Sequence, residues 1–166
     1  LNDLFGIQSR AGCSCAAPYG HRLLHIDHDT SGRLQRTIRR GNVGLKPGWT
    51  RITFHFLHTD EEVAFIADAI RFVADHGVTF LPAYRFDVHT GAWRHRDAVE
   101  QRPAFGIDAA LEAAARPAIT APAAVRGALF DGYLVEARRE ADELARRHAG
   151  VELKTTEKDL VPFVYV

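Results

Sequence analysis

The sequence predicts an α/β fold of the α+β kind, a small mixed or antiparallel sheet covered by helices. Three stretches carry that prediction. "TRITFHFL" (50–57) alternates apolar and polar residues with the period of a strand, Ile52, Phe54 and Phe56 falling on one face. Next comes the strongest helix signal, Thr59 followed by Glu62 as a capping box, with Val63, Ile66, Ile70 and Val73 at helical spacing and Gly77 as the stop. "TFLPAYRFDVHTGAWRHR" (79–96) then reads as a strand and hairpin turning near Gly91.

The remaining elements follow in chain order. "DLFGIQSR" (3–10) suits a short strand, with Phe5 and Ile7 on one face and Gly6, Gln8 and Arg10 on the other. Residues 17 to 41 are mostly helical, with a break at "DTSG". A short helix falls around "GIDAALEAAA". Thr120 caps a long helix running through His148, with Pro122 in its first turn, Gly132 as a candidate interruption and Gly150 as its end. Along it, Asp142–Arg146 and Glu143–Arg147 stand at i,i+4. "LVPFVYV" (160–166) reads as an edge strand, because Pro162 cannot donate to a ladder.

Composition narrows the function classes. At 166 residues one domain is the expectation, and a chain of this size buries about 70% of its unfolded surface without a disulfide or metal. Basic and acidic residues balance at 21 each, which argues against a general nucleic-acid binder or a membrane-surface protein. No apolar run approaches the roughly 18–20 residues that span a bilayer, and no secretory signal opens the chain. Two cysteines one residue apart are not a secreted disulfide framework, so a cytoplasmic setting is expected. The chain holds no methionine and begins in what reads as a strand, as a piece of a longer protein would.

The chemistry concentrates in "SRAGCSCAAPYGH" (9–21), which holds both cysteines. Three readings stand open. A metal site would use Cys13, Cys15, His21 and His25, with His28 completing an i, i+4, i+7 set if 21–28 is helical. Against it, C-x-C is tighter than the usual ligand spacing, and Leu23, Leu24 and Ile26 interleave, as in a partly exposed helix that happens to carry histidines. A redox pair is disfavoured, because cysteines at i and i+2 bridge only with strain. A nucleophilic thiolate needs an electropositive, partly exposed setting, for which Arg10 and a helix N-terminus at "AAPYG" are candidates, although spacing alone favours a cysteine that packs as a small hydrophobe.

"SRAGCSCAAP" resembles the R-x-G-x-x-C-A-x-P signature in the small domain of cysteine desulfurases, members of the class V aminotransferase family of pyridoxal-phosphate enzymes. "GWTRITFHFLHTDEEVAFIADAI" is similar to that family's Arg-led strand followed by a T-x-E-E helix start. The two matches cover residues 3 to 77 in the family's order. The resemblance implies the C-terminal small domain of a fold type I enzyme, with residues from about 83 to 166 as an unrecognised extension. It implies Cys15 as the mobile nucleophile that takes sulfur from the substrate, leaving alanine and a persulfide. It implies Arg10 as the clamp on the substrate α-carboxylate, where a planar guanidinium fork pairs both oxygens, and Arg51 as a second arginine near that site.

Departures from the family pattern bear on the reaction. Cys13 and Ser14 stand where desulfurases commonly carry histidines, the stretch from Cys15 to Arg51 is long, and "GRLQRTIRRG" reads as a solvated face. Transamination and other lyase chemistry, with Cys15 not catalytic, remain open. The cofactor needs a Schiff-base lysine. Lys46, Lys154 and Lys158 all fall in turn or polar contexts unlike the family's, so the large domain that holds pyridoxal phosphate is expected outside this sequence, and the fragment alone is expected to be inactive. The implied partners are an amino-acid substrate, that missing N-terminal large domain and a second copy of the parent in a homodimer, with no nucleic acid and no membrane.

Overall fold

The computed structural model describes residues 1–12, 17–98, 106–115 and 122–151. It is an α+β arrangement in which helix predominates. Helices α1 (Asn2–Phe5), α2 (Ala17–Leu23), α3 (His28–Arg39) and α4 (Asp60–Phe80) precede a hairpin of β1 (Tyr84–Asp87) and β2 (Ala92–His95), followed by α5 (Ile107–Ala114) and α6 (Ala123–Arg147). Among the described residues the one sheet is this two-stranded antiparallel pair, registered Tyr84↔His95 through Asp87↔Ala92.

The expected capping box forms. The Glu62 N–H donates to the Thr59 hydroxyl at 3.3 Å, and the Glu62 carboxylate accepts from the Thr59 N–H at 2.8 Å. The helix then runs past Gly77, which does not stop it. A helical glycine costs about 1 kcal/mol relative to alanine, and burial of Phe80 one turn later outweighs that. The buried stripe of α4 is Phe65, Ile66, Ala69 and Phe72, whereas Val63 and Ile70 lie toward solvent.

That stripe meets α1 and α6 in one core. Phe5, Phe65, Ala69, Phe72 and Phe80 pack with Ala137, Ala141 and Leu144 of α6. Ala69 is fully buried, and with Ala137 and Ala141 opposite, α4 and α6 approach closely. Phe5 meets Phe65 and Phe72 edge-on, with ring centroids at 6.0 and 5.5 Å, and Phe65 stacks on Phe130 at 4.3 Å. Helix α6 therefore shares its core with the elements that precede residue 83.

Two expected strands take other forms. In 3–10, residues 2–5 make one helical turn, closed by Gly6 in the left-handed region (φ 64°), and this turn is what buries Phe5. In 50–57 only Arg51 is bridged, while Phe54 and Phe56 point to solvent, Phe56 at 89% exposure. The break in 17–41 falls at Leu24–Asp27. His25 sits there at φ 52°, and Asp27 accepts from the Thr30 N–H at 2.7 Å to start α3. "DTSG" is thus helical.

The hairpin forms where expected. Asp87 accepts from the N–H groups of His89 and Thr90, and Gly91 turns the chain at φ 75°. Helix α6 is uninterrupted at Gly132 and pairs Glu143 with Arg147 at 2.8 Å. Its N-cap is Pro122, without a side-chain bond, and Thr120 lies outside the described residues, as does the expected strand at 160–166.

Candidate functional site

The extended segments after α1 and before α4 meet over a short stretch. Arg10 and Arg51 exchange both backbone hydrogen bonds, the Arg10 N–H donating at 3.2 Å and the Arg51 N–H at 2.8 Å. Gly12 and Trp49 do the same at 3.2 and 3.3 Å. This two-strand ribbon has the alternation of an antiparallel ladder, in which directly opposed residues project their side chains to the same face, with Cβ atoms about 5 Å apart. Gly12 is held at φ 112°, a backbone conformation that L-residues rarely adopt.

The ribbon thus joins the two arginines that the sequence singled out in separate motifs. Both are exposed. Among the described residues neither has an ion-pair partner. Two exposed arginines at opposed ribbon positions, neither ion-paired among the described residues, raise the local positive potential and offer planar donors to an anion. A carboxylate bound between them would gain charge-assisted hydrogen bonds from both sides.

Trp49 also faces α2. Its ring lies edge-on to Tyr19 with centroids 6.3 Å apart, and Gly20 is buried against it. A Cβ on Gly20 would lie 3.1 Å from Cζ3 of the indole. Trp49, Gly12, Tyr19 and Gly20 were not among the candidates read from the sequence. The available signal was the spacing of "WTR", which puts Trp49 and Arg51 on one face of any extended segment.

Cys15, the candidate nucleophile, and Cys13 lie outside the described residues. The histidine half of the metal reading is not assembled. Helix α2 ends at Leu23, His25 occupies the left-handed position after it and His28 opens α3, so the three histidines share no helix face. Among the described residues no three His, Cys, Asp or Glu side chains group as a metal site would require.

A pyridoxal-phosphate site does not fit the described residues. Lys46, the one lysine among them, follows the 3₁₀ turn at Val43–Leu45 on an exposed surface that does not enclose a Schiff base from water. Among the described residues no helix is long and apolar enough to cross a membrane. No family model matches the sequence, and no curated protein or solved structure matches it either.

Proposed function

We propose that this chain is the C-terminal small domain of a pyridoxal-phosphate-dependent enzyme of the class V aminotransferase type, acting on an amino-acid substrate. In this reading Arg10 and Arg51 bind the substrate α-carboxylate, and Cys15 accepts its sulfur. The observation that carries the reading is the backbone pairing of Arg10 with Arg51. Two motifs matched separately in the sequence supply one arginine each, and the fold brings the two to opposed positions on one ribbon face.

The net reaction transfers one sulfur atom. A protein thiol and cysteine give a protein persulfide and alanine: the substrate C–S bond breaks and an S–S bond forms, the two sulfurs together losing the two electrons that the substrate β-carbon gains as it takes up hydrogen, with no external oxidant. The cofactor belongs to a large domain outside this chain, and the parent works as a homodimer. What this chain contributes is positioning. The arginines fix the carboxylate end of the substrate, and the cysteine starts three residues beyond Gly12, the end of the ribbon.

The test is a substitution series, Arg10→Gln, Arg51→Gln and the double variant, in the full-length protein with L-cysteine. Loss of a hydrogen-bonded charge partner raises KM about ten- to a hundredfold, and the double variant shows non-additive loss because the two residues share one ligand. Unchanged KM in both single variants would reject the clamp. Transfer of an amino group without sulfur release would keep the clamp and move the reaction to transamination.

A further inference from the structure

We infer that Trp49 is the positioning residue that ties α2, and with it the start of the chain beyond the cysteines, to the arginine ribbon; the inference rests on the reading above. Three contacts meet at this residue. Its backbone exchanges both hydrogen bonds with Gly12, the last described residue before the cysteines. Its indole fills the space that a side chain on Gly20 would need, with Cζ3 3.1 Å and Cη2 3.6 Å from the position of an added Cβ. Tyr19 closes edge-on at 6.3 Å.

The chain therefore leaves the ribbon beside Trp49 and returns to the same residue in α2. Trp49 also sits two residues before Arg51 on the face that carries both arginines. One side chain thus sets the separation between the substrate clamp and the segment that returns from the cysteines. A glycine at 20 and a large ring at 49 are complementary choices, because the ring occupies what the glycine leaves empty.

That complementarity defines the experiment. Trp49→Phe, Gly20→Ala and the double variant are made in the full-length protein. Iodoacetamide alkylation of Cys13 and Cys15 is followed by mass, and kcat and KM for L-cysteine are measured in parallel. Phenylalanine leaves a gap over Gly20, and alanine at 20 crowds the indole so that the ring must give by a few tenths of an ångström; each single variant therefore speeds alkylation and lowers kcat with little change in KM. The double variant returns toward the parent, with a coupling of at least about threefold, because the added methyl fills the gap left by the smaller ring. Trp49→Phe preserves an aromatic ring and remains informative if Gly20→Ala does not fold. Additive effects in the double variant, or a Trp49→Phe protein that alkylates like the parent, would overturn the inference. Coupled alkylation rates without any turnover of L-cysteine would reject sulfur transfer while leaving the role of Trp49 standing.

Discussion

Arg10 and Arg51, distant in sequence, face each other as a hydrogen-bonded backbone pair, and Gly12 continues that pairing against Trp49 at φ 112°. A side chain at residue 12 is strained whatever space surrounds it, at a cost of about 1–3 kcal/mol. Gly12→Ala is expected to lower stability by that amount and, if the proposed clamp holds, to raise KM for L-cysteine. Gly106→Ala is the control, since an added Cβ there meets nothing within 4 Å. Its unfolding midpoint should stay close to the parent's.

The start of α4 depends on reciprocal bonds between Thr59 and Glu62. Thr59→Ala removes the hydroxyl that accepts from the Glu62 N–H, while the backbone N–H of residue 59 can still donate to the Glu62 carboxylate; it should cost about 1 kcal/mol, whereas Thr59→Ser retains the hydroxyl and most of the stability. Urea unfolding checks this, with the midpoint falling in the alanine variant at an unchanged slope.

Gly44 is where the loop after α3 meets the hairpin. Its N–H donates to the Val88 carbonyl at 2.7 Å, and a Cβ there would lie 2.7 Å from the Phe86 ring and 2.9 Å from that carbonyl oxygen. Gly44→Ala is expected to destabilise by about 1–3 kcal/mol through overpacking. Phe86→Leu should recover part of the loss, which a double-mutant cycle on melting temperatures measures.

Tyr84 ties the hairpin to α1 by donating its hydroxyl proton to Asp3 at 2.7 Å. That bond, helped by Asn2, holds the Asp3 carboxyl below the usual aspartate value against the opposing effect of burial. Burial, then the bond to Asp3, pushes the Tyr84 phenol above its ordinary value. The signs follow. Asp3 contributes stability above the ordinary aspartate value of about 4, lost as pH falls through its depressed folded value. Tyr84 contributes stability below the ordinary tyrosine value of about 10, lost as pH rises toward its elevated folded value. Tyr84→Phe should cost under about 1 kcal/mol at neutral pH, because Asp3 is largely exposed. The difference from the parent should shrink below about pH 4 and above about pH 10 in chemical-denaturation curves.

Elements stabilised by local chemistry were legible in the sequence. Thr59 and Glu62 specify the start of α4 from adjacent residues, and Asp87 with Gly91 specifies the hairpin turn. Elements decided by tertiary contact were not. The alternation of Phe5 and Ile7 matches a strand, yet Phe5 gains the Phe65 and Phe72 rings only when residues 2–5 coil and Gly6 takes φ 64°. The alternation of Phe54 and Phe56 likewise matches a strand, but the ribbon extends only from Arg10–Gly12 to Trp49–Arg51, and both rings stay exposed. At the site, Arg10 and Arg51 were readable as residue types at motif positions. For Trp49 the "WTR" spacing gives only the face it shares with Arg51, while its contact with the missing side chain of Gly20 leaves no signature in local spacing.

The measurement that tests the central claim most directly is the mass of one peptide. The full-length protein is incubated with L-cysteine and digested with trypsin without reductant, and the peptide Ala11–Arg22, which holds Cys13 and Cys15, is fragmented. Sulfur transfer predicts one added sulfur atom, localised to Cys15 and abolished in the Arg10→Gln, Arg51→Gln double variant, where loss of the cleavage site at residue 10 leaves both cysteines in a longer peptide that still ends at Arg22. An unmodified peptide from cofactor-loaded protein would contradict it.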